Sequence, residues 1–549
     1  MMSSHLRLGL LVLVLLVPGT AQSDDGPNQH QHAAGEAEKL GKVDFAVSCS
    51  ARARETFGRA VALLHSFWYD EAEKAFGEVT RIDPSCVMGH WGVAMSLYHP
   101  IWAPPSPVEF ERGRAAAEKA KSLRAKTERE KDYVTAIAAF YEGEGREHSA
   151  RKLAFEKGME QVVLGNPKDR EAAVFYGLAL LGTAPPADKT YANQKKAAEI
   201  LNRILPEAPN HPGVAHYLIH SFDYPQLASL ALPAAKAYSK IAASSPHALH
   251  MPSHIFTRLA LWEDSIQSNM SSATTAKRHA EKTRPGASSF DQLHALDYLA
   301  YAYLQQGRDD KAKAILDELS TAGPLDADNF AAAYALAAVP ARYALERREW
   351  KEAAGLTVGR VGFPWSKFAY AEALTHFARG VGGARAGDLA AARSGLARLD
   401  EIHSVLVTAK DAYWAGQVEI QRLATSAWLA QAEGRKQEAL LLMRAAADLE
   451  DATDKHPVTP GPVLPSRELL GDLLVEQGET GKALAEYEAS LQTSPGRLNS
   501  LSRALRAAAD VGQGDKAQTL FTKLEALCRE SEGPRAGLDS LRTLLARKP

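Results

Sequence analysis

The run Leu470-Gly471-Asp-Leu-Leu474-Val-Glu-Gln-Gly478-Glu-Thr-Gly-Lys-Ala483-Leu-Ala-Glu-Tyr487, closed by Pro495, reads as two helices and the turn between them. Its apolar residues recur at helical spacing, Gly478 marks the turn, and Pro495 ends the second helix. Gly471 and Ala483 are small, so the two helices can approach closely. Tyr487 is large and fills the gap toward the next pair. The spacing returns along the chain. Gly512, Ala517 and Phe521 follow in phase, although Leu505 stands where a small residue is expected. Ala60, Leu63, Ala72, Phe76 and Pro84 fit near the N-terminus, and Trp91-Gly92 opens the following unit. Ala300, Tyr303, Gly307, Ala312 and Leu316 make a central copy, with weaker ones around Ala353, Ala392 and Ala439. A single pair leaves an apolar face uncovered, so several must stack to bury a continuous core.

These residues, at a period of about 34, resemble the tetratricopeptide-repeat (TPR) superfamily over most of residues 50–545. The resemblance implies an all-α, TPR-like α-solenoid of roughly nine to ten antiparallel helix pairs. It also implies a concave groove, a shape used to hold a peptide, a protein or a small ligand. It names no activity. The expected organisation is a His-rich N-terminal half over residues 48–320 and a C-terminal half over 321–549.

Bulk properties agree with a folded helical protein. Of 549 residues, 46% are hydrophobic and 24% charged, the balance of a globular chain. Alanine and leucine dominate and β-branched runs are rare, which favours helix. A net charge of −2 gives no electrostatic basis for binding nucleic acid or an anionic membrane. Residues 1–21 have the pattern of a secretory signal peptide: Arg7, an apolar run from Leu8 to Val17, then Gly19-Thr20-Ala21. That run is too short to span a hydrocarbon core of about 30 Å, and no stable membrane insertion is expected. The protein is expected to be exported, either periplasmic or secreted. Residues 22–47 are polar and read as a flexible arm. Cys49 and Cys86 either pair across the first repeat or stay separately buried; Cys528 is left over.

The pattern is interrupted at His99-Pro-Ile-Trp-Ala-Pro-Pro105, at Gly182-Thr-Ala-Pro-Pro-Ala-Asp-Lys189 and at His456-Pro-Val-Thr-Pro-Gly-Pro-Val-Leu-Pro465. Prolines this dense cannot continue a helix. The last segment either crosses the surface or folds back into the groove.

Specific chemistry is suggested at one place. His216-Tyr-Leu-Ile-His220 is answered by His250-Met-Pro-Ser-His254, 34 residues later. Histidines four apart lie on one helix face. Across the superfamily, positions 2, 5 and 9 of a first helix face the groove. In the frame set by Ala234, Tyr238 and Pro246, His216 and His250 both take position 2. His294, Asp297 and Tyr301 take positions 2, 5 and 9 of a later unit. His216, His220, His250, His254 and His294 are therefore candidate ligands for a transition metal, Zn, Cu or Fe. Asp223, His247, Asp297 and Tyr301 are candidate groove or supporting residues, the carboxylates as further ligands or as acceptors for ring N–H. Pro252 divides two outcomes: if the helix starts there, His250 is off it; if Ser245-Pro246 opens it, Pro252 kinks it.

Two functions follow. One is a partner-binding or ligand-binding groove protein, possessing or lacking a His-based metal centre. The other is a metal-dependent enzyme, oxidative or hydrolytic, that uses His216, His220, His250 and His254. Histidines that are merely hydrogen-bonded remain the plain alternative. Elsewhere, Cys86-x3-His90 has chelating spacing unless Cys86 is in a disulfide, and His30-Gln-His32 lies in the arm. Trp68, Trp91, Trp102 and Trp365 read as packing residues, and Gly478-Glu-Thr-Gly-Lys482 as a repeat turn. No G-x-S-x-G, H-E-x-x-H or C-x-x-C occurs.

Overall fold

The computed structural model describes residues 38–547 apart from 102, 103, 361, 532, 534 and 536. The expected signal peptide and residues 22–37 of the expected arm lie outside that range. Helices follow one another as pairs: α1 (Ala51–His65) with α2 (Tyr69–Ile82), α3 (Val87–Ser96) with α4 (Pro107–Ser122), α5 (Glu128–Tyr141) with α6 (His148–Gly165). Next come α7 (Arg170–Thr183) with α8 (Ala192–Ile204) and α9 (Pro212–Phe222) with α10 (Leu232–Ile241). The halves α11 (Pro246–His250) and α12 (Pro252–Arg258) of one broken helix share the partner α13 (Trp262–Thr283). The series continues with α14 (Phe290–Gln305) and α15 (Asp309–Ser320), α16 (Phe330–Glu346) and α17 (Trp350–Ala354), α18 (Ala369–Ala386) and α19 (Leu389–Thr408). It ends with α20 (Ala412–Ala432) and α21 (Lys436–Asp451), α22 (Ser466–Glu476) and α23 (Thr480–Thr493), α24 (Leu498–Asp510) and α25 (Gly514–Leu527), then α26 (Leu538–Arg547). Among the described residues there is no strand, only one isolated bridge between Ser288 and Leu325.

The architecture is the expected all-α, TPR-like array, with twelve pairs among the described residues against the roughly nine to ten expected. The added pairs fall where long loops replace tight turns, as between α5 and α6 or α7 and α8, so their sequence lacks the turn signal. Close approach needs the small residues: within a pair, a Cβ on Gly471 would lie 2.5 Å from the Tyr487 ring, and between successive pairs one on Gly92 would lie 2.1 Å from Phe76. The tight turns place a left-handed residue two positions before the second helix, as at Gly478 (φ 83°) and Gly512 (φ 78°). Phe67 holds that place in the first turn, with φ 53°. A left-handed conformation costs a side-chain-bearing residue about 1–2 kcal/mol, so something must hold the phenylalanine there.

The inner faces of the array are occupied by the chain itself. Residues 39–49, which take in the end of the segment expected to be a flexible arm (22–47), run along the first helices of four successive pairs. The Phe45 ring lies 5.4 Å from Phe57 on α1, 5.6 Å from Trp91 on α3, 5.0 Å from Tyr133 on α5 and 6.3 Å from Phe175 on α7. Lys42 donates its backbone N–H to Asn210, and Ser244 donates to Lys39. Cys49 is disulfide-bonded to Cys86 and Cys528 is free and buried. The disulfide removes Cys86 as a partner for His90 in metal binding.

The Pro-rich segment after α21 folds inward. Arg342 of α16 donates to the carbonyls of Gly461 (2.8 Å) and Pro462 (3.1 Å), and His456 stacks on Trp414 at 5.2 Å. The last pairs return onto α14: Leu498 donates its N–H to Gln305, and Ser531 its hydroxyl to the Gly307 carbonyl. No described helix is long and apolar enough to cross a membrane.

Candidate metal centre

Helix α9 begins at Pro212, with the His211 ring accepting from the Val214 N–H. Its face carries His216 and His220 toward the break between α10 and α12. There Ser245 caps α11, its side chain accepting from the Ala248 N–H. The helical path continues through Met251 (φ −53°, ψ −35°) into α12. Pro252 thus interrupts the hydrogen-bond ladder without ending the helical rotation, and His250 stays on the same face as His254. His294 arrives from α14. All six of His216, His220, His247, His250, His254 and His294 are buried. They lie in the interior, not on the wall of an open groove, because the chain's own segments cover the inner faces.

The six rings form two sets of three. One comprises His216, His220 and His247; the other comprises His250, His254 and His294; within each set the ligand atoms lie within 4.8 Å of one another. In the first set, His216 Nε2 is 3.1 Å from His220 Nε2 and 3.2 Å from His247 Nε2. In the second, His250 Nε2 is 2.9 Å from His254 Nε2. The sets adjoin: His220 and His254 have ring centroids 6.5 Å apart, and His247 and His250 6.1 Å. His247, expected to stand behind the ligands, instead completes the first set. It sits one turn before His250, which is the distance that brings it back to the α9 pair.

The outward nitrogens decide what the inward ones can do. His216 donates Nδ1–H to the backbone carbonyl of His65 at 2.7 Å. His250 donates Nδ1–H to Asn269 Oδ1 at 2.6 Å, and that amide is fixed because its Nδ2 donates to the Ser265 carbonyl. His254 donates Nδ1–H to Asp223 Oδ2 at 3.0 Å. A neutral imidazole carries one N–H, so the Nε2 of each of these rings is an acceptor, and the Tyr298 hydroxyl stands 3.3 Å from that of His254. His250 and His254 therefore point two acceptors at each other across 2.9 Å. Two acceptors cannot satisfy each other; a cation between them can. An ion about 2.0–2.1 Å from each of three nitrogens would hold those nitrogens about 3.3–3.6 Å apart, close to what is found.

Burial holds the imidazoles neutral. It pushes His216, His247, His250 and His294 well below the ordinary histidine range, with the neighbouring rings adding to the effect. His220 is lowered to about 3, by burial and by His254. Burial also lowers His254, against the pull of Asp223. Burial works to raise Asp223, but Lys455, Arg258 and His254 outweigh it and keep the carboxylate ionised. Arg258 Nε and Lys455 Nζ each donate to it at 2.9 Å. Lys455 comes from the inward-folded Pro-rich region.

Aromatic rings pack against both sets. Phe67 lies 4.4 Å from His216 and stacks on His220 and His247, each at 5.6 Å. This packing holds the left-handed phenylalanine in place. Tyr298 stands 4.7 Å from His250 and 5.1 Å from His254. Asp297 and Tyr301, expected beside the histidines, serve other partners. Asp297 faces Arg342 at 3.2 Å, and Tyr301 accepts from Arg497 at 3.2 Å. Asn269, Lys455, Tyr298 and Phe67 carried no readable signal in the sequence, since none shares a motif with the histidines.

A third group, His65, Glu171 and His211, is built differently. Glu171 accepts from His65 Nε2 at 3.0 Å and from His211 Nε2 at 2.8 Å. Tyr217 donates its hydroxyl to His65 Nδ1 at 2.9 Å. Every ring nitrogen has a complementary partner. Gly213 makes room for it, since a Cβ there would lie 2.5 Å from His65 Nδ1.

No family model matches the sequence, and no curated protein matches it. Solved structures similar to the chain include a tetratricopeptide repeat protein from Parabacteroides merdae, at 14% identity and TM-score 0.29, covering 55% of this chain and 99% of that one. Yeast Tom70 is similar at 11% identity and TM-score 0.34, covering 90% of this chain and 95% of its own. These likenesses are too distant to bear on the chemistry.

Proposed function

We propose that this protein is an exported metalloprotein whose helical repeats hold two transition-metal ions, one in each three-histidine set. The carrying observation is the pair of Nε2 acceptors facing each other at 2.9 Å in His250 and His254, with both Nδ1–H groups committed elsewhere and the Tyr298 hydroxyl, 3.3 Å from His254 Nε2, as the donor beside them. The repeat explains why there are two sets: equivalent helices place equivalent histidines. Hydrogen-bonded orienting groups behind ring ligands are what metal sites use to fix the tautomer. The Cys49–Cys86 disulfide supports an oxidising compartment.

A peptide adaptor is the second reading. Residues 39–49 already lie along the inner face of the first four pairs, so a peptide partner there would have to displace Phe45. That observation favours the metal reading.

Elemental analysis of the full chain, as purified and after reloading, tests it. About two ions per chain are expected, falling to about one in His220→Ala and in His254→Ala. A chain that holds no stoichiometric metal even after reloading with zinc and with copper would leave the adaptor.

A further inference from the structure

The ligand chemistry narrows which ion the two sets hold. All six candidate ligands are imidazoles, with no carboxylate or thiolate in either set. Asp223 approaches from behind, at the Nδ1 of His254, and is shared with Arg258 and Lys455. Dinuclear iron and manganese sites in helical proteins are built from glutamates as well as histidines, and oxygen ligands suit magnesium, calcium and manganese. Imidazole suits zinc, copper, iron and nickel, and the lack of glutamate argues against iron, which leaves copper, zinc or nickel.

Charge then separates these. Neutral ligands cancel none of the ions' charge, and on one wall of the buried site the single carboxylate, Asp223, is already shared by Arg258 and Lys455. Two divalent ions side by side would put four positive charges in a space of low dielectric, where like charges repel strongly. Two copper(I) ions would put only two. The sets are also in direct contact, since rings from opposite sets lie 6.1 and 6.5 Å apart, within the range of touching aromatic rings.

Resting on the two-ion reading above, we infer that the ions are a pair of copper(I) and that the pair binds one molecule of dioxygen between the two histidine sets. The electrons balance within the site. Each copper(I) gives one electron and becomes copper(II). Dioxygen accepts both, its O–O double bond becomes a single bond, and the resulting peroxide dianion bridges the coppers. No proton or outside reductant is needed, and the total charge of the unit does not change. Removing dioxygen returns both electrons to copper.

The full-length protein, stripped of metal and reloaded with copper(I) under argon, tests this by titration with dioxygen. The expected result is about two coppers per chain and uptake of about one dioxygen per copper pair. A new near-ultraviolet absorption should appear without any electron paramagnetic resonance signal, because the two copper(II) spins couple, and argon should reverse it. His220→Ala and His250→Ala, checked for helicity by circular dichroism, should each keep about one copper and lose dioxygen uptake. Two bound coppers that oxidise to independent, resonance-visible copper(II) ions would overturn the paired copper site and leave the two-ion reading standing. Retention of zinc with rejection of copper would do the same. A chain that retains neither metal would overturn both.

Discussion

The two kinds of buried histidine cluster in this protein lie against each other and obey opposite rules. In His65–Glu171–His211 each donor meets an acceptor, and the ionised Glu171 is held well below the ordinary carboxylate range: burial opposes this, and His211 and His65 outweigh it. In the His250 set two acceptors, the Nε2 atoms of His250 and His254, face each other. The first arrangement is complete as it stands and contributes to stability. The second is a conflict unless a cation resolves it. Both are buried, so burial does not separate them. Hydrogen-bond polarity does.

The contrast can be broken most directly at His250. Replacing it with Ala should abolish binding of one of the two ions, seen as about half the bound metal. The metal-free protein should lose less stability than burial alone suggests, since a facing-acceptor conflict disappears with the ring. Glu171→Ala should do the reverse. It strands two buried imidazole N–H groups and should cost about 3 kcal/mol in denaturant unfolding, with the ion count unchanged. Full metal loss in Glu171→Ala would erase the distinction between the clusters. Asp223→Asn keeps a hydrogen-bond acceptor behind His254 but removes the charge. Loss of such an orienting partner costs 10–100-fold in metal affinity, about 1.4–2.7 kcal/mol, and a competition titration should place the effect in the His250 set.

The smallest effect per residue is titration. All six imidazoles are depressed in the folded chain, so below about pH 6.5 the unfolded chain binds more protons and folding loses stability as pH falls. Each imidazole that stays neutral should contribute a loss of about 1 kcal/mol between pH 7 and 5.5 in metal-free protein. A metal-free protein whose unfolding midpoint is flat over that interval would mean the rings are accessible and charged.

How much of this was legible follows from what sets each position. Gly471 with Tyr487 inside a pair, and Gly92 with Phe76 between successive pairs, announced the array because such contacts are local and sterically strict. The 34-residue offset from His216 to His250 placed equivalent rings on successive units for the same reason. The break at Pro252 left two outcomes open, and the backbone of Met251 chose between them. What was not legible is long-range: Asn269 behind His250, Lys455 on Asp223, and the inward path of residues 455–465. Such contacts depend on how the array winds back on itself, and no local period records that. Asp297 and Tyr301 shared the histidines' phase yet serve Arg342 and Arg497, since a helix face wide enough to meet two neighbours divides its side chains between them.

The salt link from Lys455 to Asp223 joins residues 232 positions apart. During synthesis the histidines emerge long before the lysine that completes their wall. On the proposed two-ion reading, an ion entering early would meet an open cradle, and one entering a finished molecule would first have to loosen the Pro-rich strap. Loading would then be tied to maturation, and release to the rate at which that strap lifts.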